Sequence, residues 1–255
     1  MINGHHEGVF MKIAATILCF LSSNLSWANN HQGEKAMSYN RPNLGTSIQI
    51  TAKAGKAEEL ANFLEAGASI VEQTEPNTLQ WFALDEGNGR FRIVDFFAKE
   101  EGRAEHFAGK VAAALAENAP HLVEGGWEEG VISNIEHSTV LSSLVRNHTK
   151  PSTLATLIKL KAKEGKEEDL ARFLTKGASI VEQSEPQTYL WYALRIDKTN
   201  FAIYDVFPNE EARTKHFEGK VANALKEKAE ELLEGSWEAG VLANIFHAKI
   251  LSYTY

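Results

Sequence analysis

Asp95 and His106 are the pair of side chains in this chain with most to offer chemically, because both return 110 positions later as Asp205 and His216. Asp95 lies in an otherwise apolar strand pattern, where burying an unpaired carboxylate is costly. Two readings stay open: an acid or base lining a pocket with a perturbed pKa, or a structural partner for a helix N-terminus or an arginine. The arginine weighed for that role is Arg103 of the same copy, with Arg213 as its counterpart. His106 and His216 precede Phe107 and Phe217 in a helical pattern, one position round from the core residues, which predicts them at the boundary between core and water. An imidazole there could shuttle a proton or ligate iron, or could simply be solvated. Trp81 and Trp191 bring flat apolar surface that could stack a planar ligand or fill a core. Trp127/Trp237 and Asn134/Asn244 also recur, and His137/His247 alternate with Ile135/Ile245 on a last strand and read as structural. The chain has no glycine-rich phosphate loop, no HExxH, no nucleophile elbow and no metal ligands clustered at helical spacing, so no metal is expected.

The elements that must position these residues are written twice. AGASIVEQTEP (Ala66 to Pro76) returns as GASIVEQSEP ending at Pro186, and the offset holds without a gap from Thr46/Thr156 to Ser142/Ser252. A period this long is the duplication of a whole domain. Each copy opens on an alternating strand (Thr46 to Ala52; Thr156 to Ala162). A helix follows from Ala57 to Gln73, with Leu60, Phe63, Leu64, Gly67, Ala68 and Val71 on one apolar face. Glu75-Pro76 and Glu185-Pro186 end these helices, since the residue before proline leaves the α region. Thr78 to Leu84 and Arg90 to Phe97 form a hairpin, repeated at Thr188 to Leu194 and Phe201 to Phe207. Phe91, Ile93, Asp95 and Phe97 share one face of their strand. A second helix is predicted from Lys99 to Asn118 and from Glu210 to about Leu233, and a last strand at Asn134 to Leu141 and Asn244 to Leu251.

This is a β-α-β-β-α-β order, the ferredoxin-like split βαβ. Such a sheet carries both helices on one face and needs cover for the other. Val94 and Phe96 make that other face apolar. The expected architecture is therefore α+β: two ferredoxin-like domains packed sheet to sheet as an intramolecular pseudo-dimer. The predicted divisions are 1–28, 29–45 (linker), 46–143 (domain 1), 144–153 (linker) and 154–255 (domain 2).

Composition supports a globular protein, with 44% hydrophobic and 24% charged residues. A net charge of −8 disfavours nucleic acid as a partner. Met11-Lys12, the apolar run Ile13 to Leu21 and small residues up to Ala28 have the layout of a secretory signal cut after Ala28, with Met11 as the expected start. That run is too short to span a bilayer, which takes about 20 apolar residues. The single cysteine, Cys19, lies inside it, so a mature chain would hold no thiol. A periplasmic or secreted location follows as an expectation.

Glu75-Pro76-Asn77-Thr78 leading to Trp81, Asp95-Phe96-Phe97, Glu101 to Phe107 and the alanine-rich Val111 to Leu115, with their second-copy counterparts, resemble the antibiotic biosynthesis monooxygenase family of the dimeric α+β barrel superfamily. The resemblance covers both repeats. It implies a fold in which two domains pair, supplied here by one chain. It also implies oxygenation of a quinol or other planar aromatic without metal or flavin. On that basis His106, His216, Asp95 and Asp205 are the catalytic candidates, with Trp81, Trp191, Phe107, Phe217, Arg103 and Arg213 binding substrate and no cofactor. The helix histidine of the family's haem-degrading branch falls on His106 and His216. That branch's asparagine and tryptophan are replaced by Gln49 or Lys159 and by Asp95 or Asp205. The alternatives are a non-catalytic haem or small-lipophile binding protein, or a scaffold for a protein partner. Further oligomers of the pseudo-dimer are open.

Overall fold

A computed structural model describes residues 41–255. The predicted signal segment and residues 29–40 lie outside the described residues. Copy one contains β1 (Leu44–Thr51), α1 (Ala57–Thr74), β2 (Thr78–Gly87), β3 (Arg90–Phe97), α2 (Glu100–Phe107), α3 (Lys110–Leu122) and β4 (Ile135–Val145). Copy two repeats them as β5 (Leu154–Lys161), α4 (Glu167–Ser184), β6 (Leu190–Arg195), β7 (Asn200–Phe207), α5 (Glu210–Phe217), α6 (Lys220–Leu232) and β8 (Ile245–Thr254). No helix among the described residues is long and apolar enough to cross a membrane.

The strands close into one antiparallel barrel in the order β1-β3-β2-β8-β5-β7-β6-β4. The expected tandem barrel is thus present, and its closure is more intimate than two sheets laid face to face. Each copy supplies a four-stranded sheet, and the sheets hydrogen-bond to each other along both edges. β4 pairs with β6, placing Leu144 opposite Trp191, and β8 pairs with β2, placing Thr254 opposite Trp81. This accounts for one difference from the sequence reading: β4 runs to Val145, two residues into the predicted linker, because its end is needed to pair with the other copy.

Period-two alternation on these strands fills two kinds of core. Phe82, Val94, Phe96, Leu157, Tyr192, Tyr204 and Val206 point into the barrel, and Phe96 stacks on Tyr192 with centroids 4.0 Å apart. Opposite residues such as Ile48, Phe91 and Ile93 meet α1 and α3 outside it. The copies also exchange cover. Leu144 of β4 packs in the outer core of copy two, and Leu251 of β8 packs against that of copy one.

The predicted second helix is two helices. α2 stops at Phe107 and α3 restarts at Lys110, with Gly109 extended between them (φ −82°, ψ −179°). A Cβ on Gly109 would lie 2.5 Å from Glu75 Oε1. Glycine therefore lets a carboxylate sit on the first turn of α3, whose free N–H groups and dipole favour it.

Candidate functional site

The chain break at Gly109 assembles a buried three-residue cluster in copy one. Glu75 is the last residue before Pro76, and its carboxylate turns inward. Its Oε1 accepts the Val111 backbone N–H at 3.2 Å, and its Oε2 accepts from His106 Nδ1 at 2.6 Å. Thr78 Oγ1 lies 3.3 Å from the same nitrogen. The other ring nitrogen, Nε2, is 3.4 Å from Asp95 Oδ2. Copy two repeats the arrangement, with His216 Nδ1 at 2.5 Å from Glu185 Oε2 and Nε2 at 3.5 Å from Asp205 Oδ2.

The expectation of boundary histidines is corrected here: His106 and His216 are each only 5% exposed. Phe97 and Phe107 flank the first ring, and Phe207 and Phe217 the second. Asp95 and Asp205 are fully buried. Of the partners weighed for them, arginine is not the one found. Arg103 and Arg213 instead pair with Glu100 and Glu210 three residues back on their own helices.

Burial alone would pull the histidine pKa down. The charge and hydrogen bonding of Asp95, followed by those of Glu75, outweigh it and push His106 up to about 10. Asp205 and Glu185 do the same for His216, again to about 10. Burial raises Asp95 and Asp205 against the opposing pull of the histidines. For Glu75, burial is outweighed by the His106 contact, helped by the Val111 N–H, and the carboxyl is held below its usual range. Each cluster is therefore an imidazolium between two carboxyl groups.

An apolar pocket reaches this cluster from outside in copy one. It is lined by Trp81, Phe63, Phe107, Trp127, Val111 and His106, among others, around a cavity of about 30 Å³. That is space for one water, and an apolar site that holds benzene measures about 150 Å³. Trp81 contributes a ring edge but is 1% exposed, packed against Gly67, where a Cβ would lie 2.6 Å from its Cη2. Trp191 packs likewise on Gly177. Phe63, Phe107 and Trp127 are only half-buried, and their movement is what would enlarge the pocket. Neither ring nitrogen of His106 or His216 is free to ligate iron, and the cavity is far smaller than a haem. The residues present do not fit haem as an axial-histidine site.

The remaining repeated residues serve the frame. His137 and His247 meet Thr46 and Thr156 at 3.2 and 3.1 Å, and burial, then Arg103 or Arg213, lowers their pKa values. Asn134 and Asn244 donate to carbonyls of the preceding turns. Sequence reasoning missed Glu75 and Glu185 as cluster members. Their place before proline explained them as helix terminators, and that sufficient explanation hid the second role.

No protein-family model and no curated protein matches the chain. Solved structures do. A candidate monooxygenase from Fusobacterium nucleatum superposes with a TM-score of 0.66 at 15% identity, over 83% of this chain and 94% of that one. Another from Lactobacillus acidophilus gives 0.66 at 13% identity, over 84% and 96%. An anthrone oxidase-like protein gives 0.51 at 11% identity, over 86% and 95%. At these identities the likeness is one of fold. The chain has the duplicated dimeric α+β barrel fold of the monooxygenase-like, ferredoxin-fold proteins.

Proposed function

We propose that this protein is an oxygenase of the cofactor-independent kind, acting on a planar aromatic such as a quinol or an anthrone bound in the copy-one pocket. One observation carries the reading: an apolar pocket ends on a buried cluster that holds two carboxyl groups to one imidazolium. With Asp95 ionised, that cluster has room for one more proton. Burial raises the Asp95 pKa, which makes it a better acceptor in a dry site. His106 faces the pocket and Asp95 lies behind it. As the half-buried aromatic side chains move aside, the Asp95 carboxylate takes a substrate O–H or activated C–H proton. His106 keeps both ring protons, with Nδ1 held by Glu75. The imidazolium then faces the substrate anion it has helped to form. That anion gives electrons to O2. For an anthrone-type CH2 group the balance is CH2 plus O2 to C=O plus water, which needs no further reductant.

The names of the fold relatives support the reaction class, and the half-buried Phe63, Phe107 and Trp127 support a pocket that opens on binding. The layout of residues 11–28 supports export. Oxygen uptake with a panel of hydroquinones and anthrones is the test. Turnover by the wild type that drops at least a hundredfold in Asp95→Asn and in His106→Ala is the expected result, on the scale of lost general-base catalysis. Uptake equal in wild type and Asp95→Asn would remove the cluster from the chemistry.

A further inference from the structure

The copies differ on both sides of the loop that follows the first helix. On one side, the rim toward the short second helix, copy one is tied and copy two is not. Asn77 Nδ2 donates to Glu105 Oε2 at 2.6 Å, and the approach depends on Gly102, where a Cβ would lie 2.8 Å from the Asn77 carbonyl oxygen. In copy two the three positions are Gln187, Lys215 and Ala212, and Lys215 turns to Glu211 instead. On the other side the roles reverse. Arg146, just past the end of β4, lays its guanidinium across the end of α4. Its Nη2 donates to the carbonyls of Glu182 and Val181 at 2.6 and 3.2 Å, and its Nε to that of Thr188 at 3.2 Å. Two of these carbonyls belong to the last turn of a helix, where the dipole is negative and favours a cation.

Copy one builds the same place without an arginine. The counterparts of those three carbonyl residues, Val71, Glu72 and Thr78, line one groove of about 290 Å³. The end of β8, Tyr253 to Tyr255, also lines it, and no basic side chain does among the described residues. The last turn of α1 likewise carries no basic residue. Thr254 Oγ1 is buried there without a hydrogen-bond partner, and the Tyr255 ring is half exposed. The lining asks for a flat cation with several donors. A guanidinium presents its N–H groups in a fixed fork and stacks on aromatic rings, whereas an ammonium is a compact point charge. Glu72 is an exposed acid at this groove and disfavours a ligand that carries a carboxylate as well.

We infer that this groove binds a guanidino amine of the agmatine type, its guanidinium on the carbonyls of Val71, Glu72 and Thr78 as Arg146 sits on their counterparts. The groove shares no lining residue with the oxygenase pocket, and the inference does not depend on that reading. Calorimetric titration of the full chain with agmatine, and with butylamine and arginine as probes, tests it. Agmatine binds once per chain with a Kd below about 1 mM. Butylamine, which lacks the fork, binds at least tenfold more weakly, and arginine binds more weakly than agmatine. Glu72→Lys, at an exposed position in the last turn of α1 where a cation suits the helix, weakens agmatine at least tenfold. Arg146→Ala bares the copy-two carbonyls, so the stoichiometry rises to two and agmatine raises the thermal midpoint of this variant more than that of wild type. Four results would overturn the inference: agmatine does not bind, butylamine binds as tightly, Glu72→Lys binds like wild type, or folded Arg146→Ala still binds only one agmatine.

Discussion

Copy one keeps an arginine–glutamate ion pair inside the barrel where copy two has an alanine and an isoleucine. Arg92 donates from Nε to Glu86 Oε1 at 2.5 Å, and from its other nitrogens to Ser47 Oγ and Gln49 Oε1 at 2.9 and 3.2 Å. The same positions in copy two are Ala202, Ile196, Leu157 and Lys159. On the helix side, by contrast, the Glu–His–Asp cluster is the same in both copies within about a tenth of an ångström. Side chains facing the helices are held in place by one another, while the lumen offers two workable fillings of similar volume. What diverges freely in this fold is the lumen and the rim.

The shared cluster sets the largest predicted effect. Removing the imidazole strands two buried carboxyl groups, so His106→Ala and His216→Ala should each cost about 5 kcal/mol, the upper end for breaking a buried pair. Urea unfolding should give similar losses in both copies, and a loss in only one would break the comparison. The pH dependence has a definite sign. A histidine whose pKa rises on folding from 6.5 to about 10 stabilises fully below pH 6.5, and that contribution is lost as pH climbs toward 10. Wild-type stability should fall through this window, and His106→Gln/His216→Gln should flatten the fall.

The lumen comes next. Arg92→Ala leaves the Glu86 side chain, 3% exposed, without its cation. It should cost about 3 kcal/mol, the lower end for one stranded charge. Replacing the pair by the residues of copy two, Arg92→Ala/Glu86→Ile, should recover most of that. A double variant as unstable as the single one would show that the two lumen fillings are not interchangeable.

The two helix glycines sharpen the comparison further. Gly67→Ala and Gly177→Ala each gain about 1 kcal/mol of helix propensity. Each also drives a methyl into a fully buried tryptophan, at a typical overpacking cost of about 1–3 kcal/mol. The approach is tighter at Gly177 on Trp191 than at Gly67 on Trp81. Copy two should therefore lose more, by about 1 kcal/mol on that scale, in thermal unfolding of the two single variants.

Much of this frame was legible in the sequence. The unbroken offset between Thr46/Thr156 and Ser142/Ser252 required two like units, and Val94 and Phe96 behind Ile93 required the second to cover the first. The edge-to-edge closure through β4 and β8 was not legible. Leu144 alone looks like a linker residue, and only its partner strand, about fifty residues on in sequence, shows why it is buried. The cluster was half legible: a buried aspartate announced the need for a partner, but the partner comes from the next helix and the third member from before a proline. Sequence spacing has no means of expressing that three-way meeting. The break at Gly109 makes it possible, and a glycine flanked by helix formers reads as a tolerated flaw.

The smallest effect tests the rim directly. Asn77→Ala removes an exposed hydrogen bond to a carboxylate and should cost about 0.5–1 kcal/mol. Gln187→Ala removes a side chain that makes no such bond and should stay within about 0.5 kcal/mol of wild type. The contrast also predicts dynamics. With its tie cut, the loop at Asn77 should exchange its amide hydrogens faster, approaching the loop at Gln187, while α1 and α3 keep their protection because Glu75 still holds them together. If Asn77→Ala leaves the two loops as different as before, the tie between Asn77 and Glu105 is not what distinguishes the copies. The methyl of Ala212 would then be the cause, and Gly102→Ala alone should open the copy-one rim.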